Sequence, residues 1–288
     1  MSVGPETAPP SPVDAEGRRA RRSAERRRAR SGRRVSIVGV LGELLITAGV
    51  LVLLFIGWQL WFTELTVGNE LKNEATQQNQ EWNEQAAQTP KPTPSSTPID
   101  EPSDEPTEPA WQEPPVEAAP ANAKRLGMLI VPRWGADYYR TIAEGIGVSD
   151  VLNKGKLGHY PSTAMPGAVG NFAIAAHRMG HGGSLHHINE LQLGDHIYVE
   201  TASGWYEYEF RNLEFVHPTG IGVLDPVPQS PETPATERYI TLTSCNPQYT
   251  SNERIIAYGV FMQFFPRDAN AANFGAPDEV AATVGGAA

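Results

Sequence analysis

Residues 238–265 read RYITLTSCNPQYTSNERIIAYGVFMQFF. Two runs rich in β-branched and aromatic residues flank a polar connection, the pattern of two strands joined by a loop. Successive strand side chains alternate between faces. Ile240, Leu242 and Ser244 therefore share one face, and Tyr239, Thr241, Thr243 and Cys245 share the other. Ile240 and Leu242 mark the core face. Cys245 then points away from the core at a strand end, just before Pro247, which cannot donate to a ladder. If the two runs pair antiparallel, the connection returns Arg254 to the rim that holds Cys245.

The same short-strand signal recurs upstream. GMLIVPRWG (127–135) opens with an apolar strand, and GNFAIAAH (170–177) contains another. DHIYVETASGWYEYEF (195–210) reads as a hairpin turning at Ser203-Gly204. Helical signals are few: SLHHINELQ (184–192) offers Ser184 as an N-cap, with Leu185, Ile188 and Leu191 on one side. Many short strands with turn signals predict an all-β domain over 123–267, a closed barrel or sandwich.

The segments outside this domain differ in kind. Residues 1–34 carry ten Arg against Glu6, Asp14, Glu16 and Glu25, a charge of +6 that leaves −16 on the rest of a chain whose net charge is −10. Residues 35–62 are apolar, and Leu44 to Phe62 contains only Thr47 and Gln59 as polar residues. That is the length of one bilayer-spanning helix. The Arg cluster before it predicts a cytoplasmic N-terminus, and Trp58 and Trp61 stand where an interfacial aromatic belt is expected. The basic head is thus read as a topology signal in the bilayer, with no nucleic acid as partner. Residues 63–122 are expected to be an extracytoplasmic linker: 67–88 a frayed helix or coil, and 89–120 a disordered Pro- and acid-rich stalk reaching up to roughly 100 Å in polyproline geometry. Residues 268–288 are expected to be a disordered tail.

The chain has one cysteine, so it has no intramolecular disulfide, and in an exported domain such a thiol is reactive, intermolecular or simply buried. A thiol needs a nearby cation or imidazole to react at neutral pH. His177 is distinctive among His159, His177, His181, His186, His187, His196 and His217. It ends a strand on the face opposite Phe172 and Ile174, the same placement as Cys245. Arg254 is the candidate cation for a thiolate or an oxyanion. Two other readings compete. His177, His181, His186, His187 and Cys245 could hold zinc, although HRMGH lacks the Glu of a helical zinc motif and contains Gly180. A non-catalytic binding module on a stalk is the second.

At this point the motifs resemble those of the sortases, membrane-anchored cysteine transpeptidases of Gram-positive bacteria. TLTSC (241–245) is similar to the family signature T-L-x-T-C, with Ser244 in place of Thr, and GHYPSTAMPGAVGNFAIAAHR (158–178) resembles the block that carries the family histidine, with Ala176 in place of Gly. LQLGDHIYVET and CNPQYTSNERIIAYG follow in the family order. The resemblance spans residues 125–265. It implies an eight-stranded β-barrel with short helices, Cys245 as nucleophile, His177 as general acid/base and Arg254 as the oxyanion-binding arginine. Thr243 and Ser244 are the implied substrate-binding hydroxyls, and no cofactor or metal is required. The implied substrates are secreted proteins with a C-terminal sorting signal and the amine of a lipid-linked peptidoglycan precursor. TLTSCNP, the short Cys-to-Arg spacing and the stalk look most like class E, associated with Leu-Ala-x-Thr-Gly signals. Class D and a pilin-polymerising class C enzyme are the alternatives.

Overall fold

The structure, a computed structural model, describes residues 36–88 and 113–284. The basic head and the stalk at 89–112 lie outside the described residues. The chain forms two compact units, Met1–Trp58 and Gln59–Ala288.

Helix α1 runs Ile37–Gln88. In the first unit its stretch Ile37–Trp58 has mean hydropathy 2.5 and no buried side chains, one helix of membrane-spanning length and composition. The second unit is built on a closed barrel. Its strands are β1 (Arg125–Ile130), β2 (Tyr139–Glu144), β3 (Leu157–His159), β4 (Gly170–Ala175), β5 (His196–Glu200), β6 (Gly204–Val216), β7 (Arg238–Asn246) and β8 (Glu253–Pro266). They close in the order β1-β2-β3-β4-β7-β8-β6-β5. Pairs β2/β3 and β4/β7 are parallel, and the other pairs are antiparallel. Alternation sends Phe172, Ile174, Ile240, Leu242, Tyr208 and Ile255 into the barrel interior, as expected from the sequence.

The outer face of β1, β2, β5 and β6 carries a second core. Met128, Ile130, Tyr139, Tyr198 and Trp205 pack there against Ala75 of α1 and against Val280 and Val284 of a short helix, α2 (Asp278–Val284). Strand β1 is therefore buried on both faces, which is why GMLIV reads as a continuous apolar run rather than an alternating one.

Three expectations are corrected here. Residues 69–88 are not frayed: Leu71, Ala75 and Asn79 recur at i, i+4, i+8 and are buried on the barrel. Only two of these are apolar, so hydrophobic periodicity was too sparse to mark the stripe. Arg125 bonds Gln78 and Glu74, and Lys156 bonds Glu74 at 2.8 Å, which fixes the helix polar flank. Residues 113–122 are a strap rather than stalk. Glu113 pairs with Arg238, Tyr206 donates to the Pro115 carbonyl at 2.8 Å, and Thr201 donates to Glu117 at 2.6 Å. Gly167 is required beside it, because its φ is +86° and a Cβ there would stand 1.9 Å from the Pro115 oxygen. Residues 268–284 are likewise ordered, in a turn and α2, because Val280 and Val284 bury apolar surface that the barrel alone leaves open.

The proposed helix at 184–192 shrinks to one 3-10 turn, Ile188–Glu190. Ser184 does not cap it; its hydroxyl donates to the Gly155 carbonyl at 2.5 Å. Leu185, Ile188 and Leu191 are buried in the barrel core as their spacing suggested.

Candidate active site

One end of the barrel collects the chemistry. The C-terminal ends of β4 and β7 and the N-terminal end of β8 meet there, because β4 and β7 are parallel while β8 runs against β7. Cys245 and Arg254 are direct cross-strand partners in the β7/β8 ladder. Such partners hold their Cβ atoms about 4.5–5.5 Å apart. The last register pair of β4 and β7 is Ala175 with Thr243, so Cys245 lies two residues further along β7 and His177 two residues past the end of β4.

Hydrogen bonds on both sides of this pair hold it in register. Before it, Ser244 donates to the Ala176 carbonyl at 2.8 Å, and the Ala176 amide donates to the Thr243 carbonyl at 3.2 Å. After it, Arg178 donates to the Asn246 side chain and, at 2.9 Å, to Asn189. Cys245 is a free, half-buried thiol. Arg254 uses Nη1 on the carbonyls of Ser251 and Glu253, both at 3.0 Å, which anchors its guanidinium at the rim.

His177 donates through Nε2 to Asn153 Oδ1 at 2.8 Å, an acceptor from the 3-10 turn Leu152–Lys154. That bond puts the proton on Nε2 and leaves Nδ1 with the lone pair. Burial, and next the charge of His181, hold the His177 pKa below the ordinary value of 6.5. The two rings are 5.0 Å apart. At neutral pH His177 is thus an uncharged imidazole, competent as a base. Replacing His181 by Asn removes the like charge and is expected to raise the His177 pKa. The acid limb of the acceptor-dependent rate then moves to higher pH. An unmoved limb in His181→Asn would show that the two imidazoles are not coupled.

Both candidate substrate hydroxyls are buried and bonded to carbonyls of the neighbouring chain segment. Thr243 shares the face of Cys245, donates to the Ile174 carbonyl at 3.3 Å and lies 3.2 Å from the Tyr160 hydroxyl. Ser244 faces the other way and is buried, its hydroxyl spent on Ala176. The expectation that Ser244 meets substrate is corrected by the alternation of the strand: it holds β4 to β7 instead. The connection between β6 and β7 also covers this face. Asn171 donates to the carbonyls of Val223 at 2.9 Å and Asp225 at 3.1 Å, and Thr241 donates to Asn171 at 2.7 Å. Val223 then packs on Ile256 and Tyr258.

Other histidines have separate work. His159 is buried against Glu144 at 2.8 Å and stacks on Phe172. His187 pairs with Glu190, and His186 contacts Met179. The set weighed for zinc does not converge: among the described residues, the three ligand-bearing side chains that come together are His196, Glu207 and Glu279, on β5, β6 and α2. Sequence reading missed Asn153, Arg178 and Asn246 as supports of the pair. Only Arg178 carried a signal, as the residue after His177 in the block that carries the family histidine.

A sortase-domain model matches residues 129–262. Sortase SrtE2 of Streptomyces coelicolor is 30% identical over 241 residues, 81% of this chain and 86% of that protein. The chain belongs to the sortase family. Sortase SrtE1 of the same organism is 34% identical over 268 residues, 91% of this chain. This sortase spans 66% of the length of SrtE1. A crystal structure of Sortase E1 with a tripeptide in its active site matches with a TM-score of 0.50 and 38% identity, over 55% of this chain and 97% of that one. The SrtA sortase of Actinomyces oris matches with a TM-score of 0.53 and 37% identity, over 58% and 96%. The sortase is most like class E, and its family are cysteine transpeptidases.

Proposed function

We propose that this sortase cleaves a C-terminal sorting signal of the Leu-Ala-x-Thr-Gly or Leu-Pro-x-Thr-Gly type between Thr and Gly. It then joins the new carboxyl end to an amine on a cell-wall precursor. The cross-strand pairing of Cys245 with Arg254, beside His177 just past the end of the adjoining strand, is the observation that carries this reading. The apolar helix and the Arg-rich head before it support a membrane anchor with a cytoplasmic N-terminus and an extracytoplasmic barrel in a Gram-positive cell.

Each step balances within the site. The Cys245 thiol gives its proton to neutral His177 as its sulfur attacks the Thr carbonyl carbon, and the carbonyl electrons move to oxygen, where the Arg254 guanidinium stabilises the anion. The C–N bond breaks as the protonated His177 gives its proton to the departing glycine amine. A thioester remains on Cys245. An acceptor amine then attacks it, neutral His177 takes the proton, and the second tetrahedral species expels the Cys245 thiolate. Water in place of the amine yields hydrolysis, the thiol-protease side reaction of the same centre. No metal or redox partner enters the balance.

The test uses the full-length chain in detergent with a sorting peptide of each type and no acceptor. Intact mass spectrometry is expected to find an adduct of the acyl fragment, mapped to the peptide bearing Cys245 and released by hydroxylamine. Peptide cleavage without any such adduct would sink the mechanism.

A further inference from the structure

A pocket of ≈ 230 Å³ lies between two connections. One joins β1 to β2 and contributes Trp134, Asp137 and Tyr138, with Arg140 beside it at the start of β2; the other leaves β4 and contributes Gly182, Gly183, His186 and His187. Both sit at the Cys245 end of the barrel. β1 ends and β2 begins where β4 ends, because β1 is antiparallel to β2, β2 is parallel to β3, and β3 is antiparallel to β4. The second connection is the one that emerges from His177. Its His181 ring lies 5.0 Å from the His177 ring, and Gly182 follows directly.

The chemistry of the pocket is that of donors without acceptors. Trp134 Nε1 and Arg140 Nε are both buried and have no hydrogen-bond partner. Leaving such donors unmet costs stability, and because both atoms are closed to solvent, a ligand meets them only when the Trp134 and Arg140 side chains turn towards the pocket. The Arg140 guanidinium lies over the Tyr138 ring at 5.1 Å, and its Nη1 reaches only the carbonyls of Asp137 and Tyr139. None of the ion pairs among the described residues includes it. Burial pulls its pKa below the usual arginine range, against the opposing pull of Tyr138 and the Asp137 carboxylate, so it is a desolvated cation without a direct ion pair. The one carboxylate on the wall, Asp137, is taken up by Lys72. His186 and His187 make their contacts through Nδ1, to Met179 and Glu190, which leaves Nε2 of each ring for a ligand. Trp134 meets Tyr138 edge-on at 4.6 Å and supplies an aromatic wall.

We propose that this pocket binds an oxyanion carried by the amine acceptor, a carboxylate or a phosphate, and so seats the second substrate on the His177 side of the thioester. The proposal rests on the reading of Cys245 and His177 as the reacting pair. It assigns Arg140 and Trp134 to acceptor binding, apart from the sorting signal.

The experiment compares two acceptors of similar amine basicity, triglycine and triglycinamide, on the full-length chain in detergent with a sorting peptide as donor. Inorganic phosphate is added as competitor in a second arm. If the oxyanion is a carboxylate, the KM of triglycinamide is expected to exceed that of triglycine by about tenfold, the scale of one charge-assisted hydrogen bond. That ratio is expected to fall towards one in Arg140→Gln and in Trp134→Phe. The ratio is internal to each variant, so a general loss of activity does not imitate it, and Trp134→Phe keeps the ring should Arg140→Gln fold poorly. If the oxyanion is a phosphate, the two acceptors show equal KM, and inorganic phosphate competes with both, more weakly in the variants. Equal KM without phosphate competition, or a preference that survives in both variants, overturns the pocket. A wild-type chain that forms no thioester overturns the Cys245 reading itself.

Discussion

Replacing Cys245 by alanine is expected to lower cleavage of a sorting peptide by about 10⁴-fold or more, the scale lost when a nucleophile–base pair is broken. His177→Ala is expected to fall in the same range, and the double variant to be no worse than either single one, because the two side chains act as a unit. Arg254→Lys keeps a positive charge yet loses the planar fork, and is expected to cost about 10²–10³-fold, mainly in kcat, the scale of one lost oxyanion donor. The geometry makes this graded. Cys245 and Arg254 face each other across one ladder, whereas His177 stands just past the end of the neighbouring strand β4. Steady-state rates on a fluorogenic Leu-Ala-x-Thr-Gly peptide decide the matter. Wild-type turnover in Cys245→Ala would leave the assignment untenable.

The second large effect lies far from the thiol. Arg267 and Glu200 form an ion pair at 2.5 Å with side-chain exposures of 1% and 0%. Asn79 of α1 donates to the same Glu200 carboxylate at 2.5 Å, Tyr139 also donates to it, and Arg267 lies 4.3 Å from the Trp205 ring. Arg267→Ala strands a buried carboxylate and is expected to cost about 3–5 kcal/mol. For a unit of this size that lowers Tm by about 10 °C or more. Adding Glu200→Gln to that variant is expected to recover part of the loss, because the stranded charge is then removed. Calorimetry of the three variants measures both values. A Tm within 2 °C of wild type in Arg267→Ala would show that the pair contributes no net stability.

This network explains how legible the chain was. Strands whose inward residues alternate, such as β4 and β7, were readable one by one, and the resemblance supplied their closure into a barrel. The faces of Cys245 and His177 followed from parity, since a two-residue period fixes which face a strand-end side chain takes, whereas the rim position of Arg254 was conditional on antiparallel pairing of the two runs. Strands β2 and β3 were not read: β2 has its apolar residues interrupted by Arg140 and Thr141, and β3 is three residues long. Residues 69–88 and 268–284 were misread for a different reason. They pack on a surface assembled from distant strands, where Asn79 meets Glu200, 121 residues on, and Glu200 meets Arg267, 67 residues on, while Val280 and Val284 join the same apolar cluster.

By itself, then, the sequence determined a membrane-length apolar segment, an all-β domain and a thiol set at a strand end away from the core face, because hydropathy and alternation are local properties. Only the tertiary structure decided that the Ser244 hydroxyl bonds the Ala176 carbonyl, that Asn153 accepts from His177, and that α1 and α2 share one core on the barrel's outer face. Those outcomes depend on which distant polar groups meet one another as the barrel closes, and a one-dimensional pattern holds no record of such meetings.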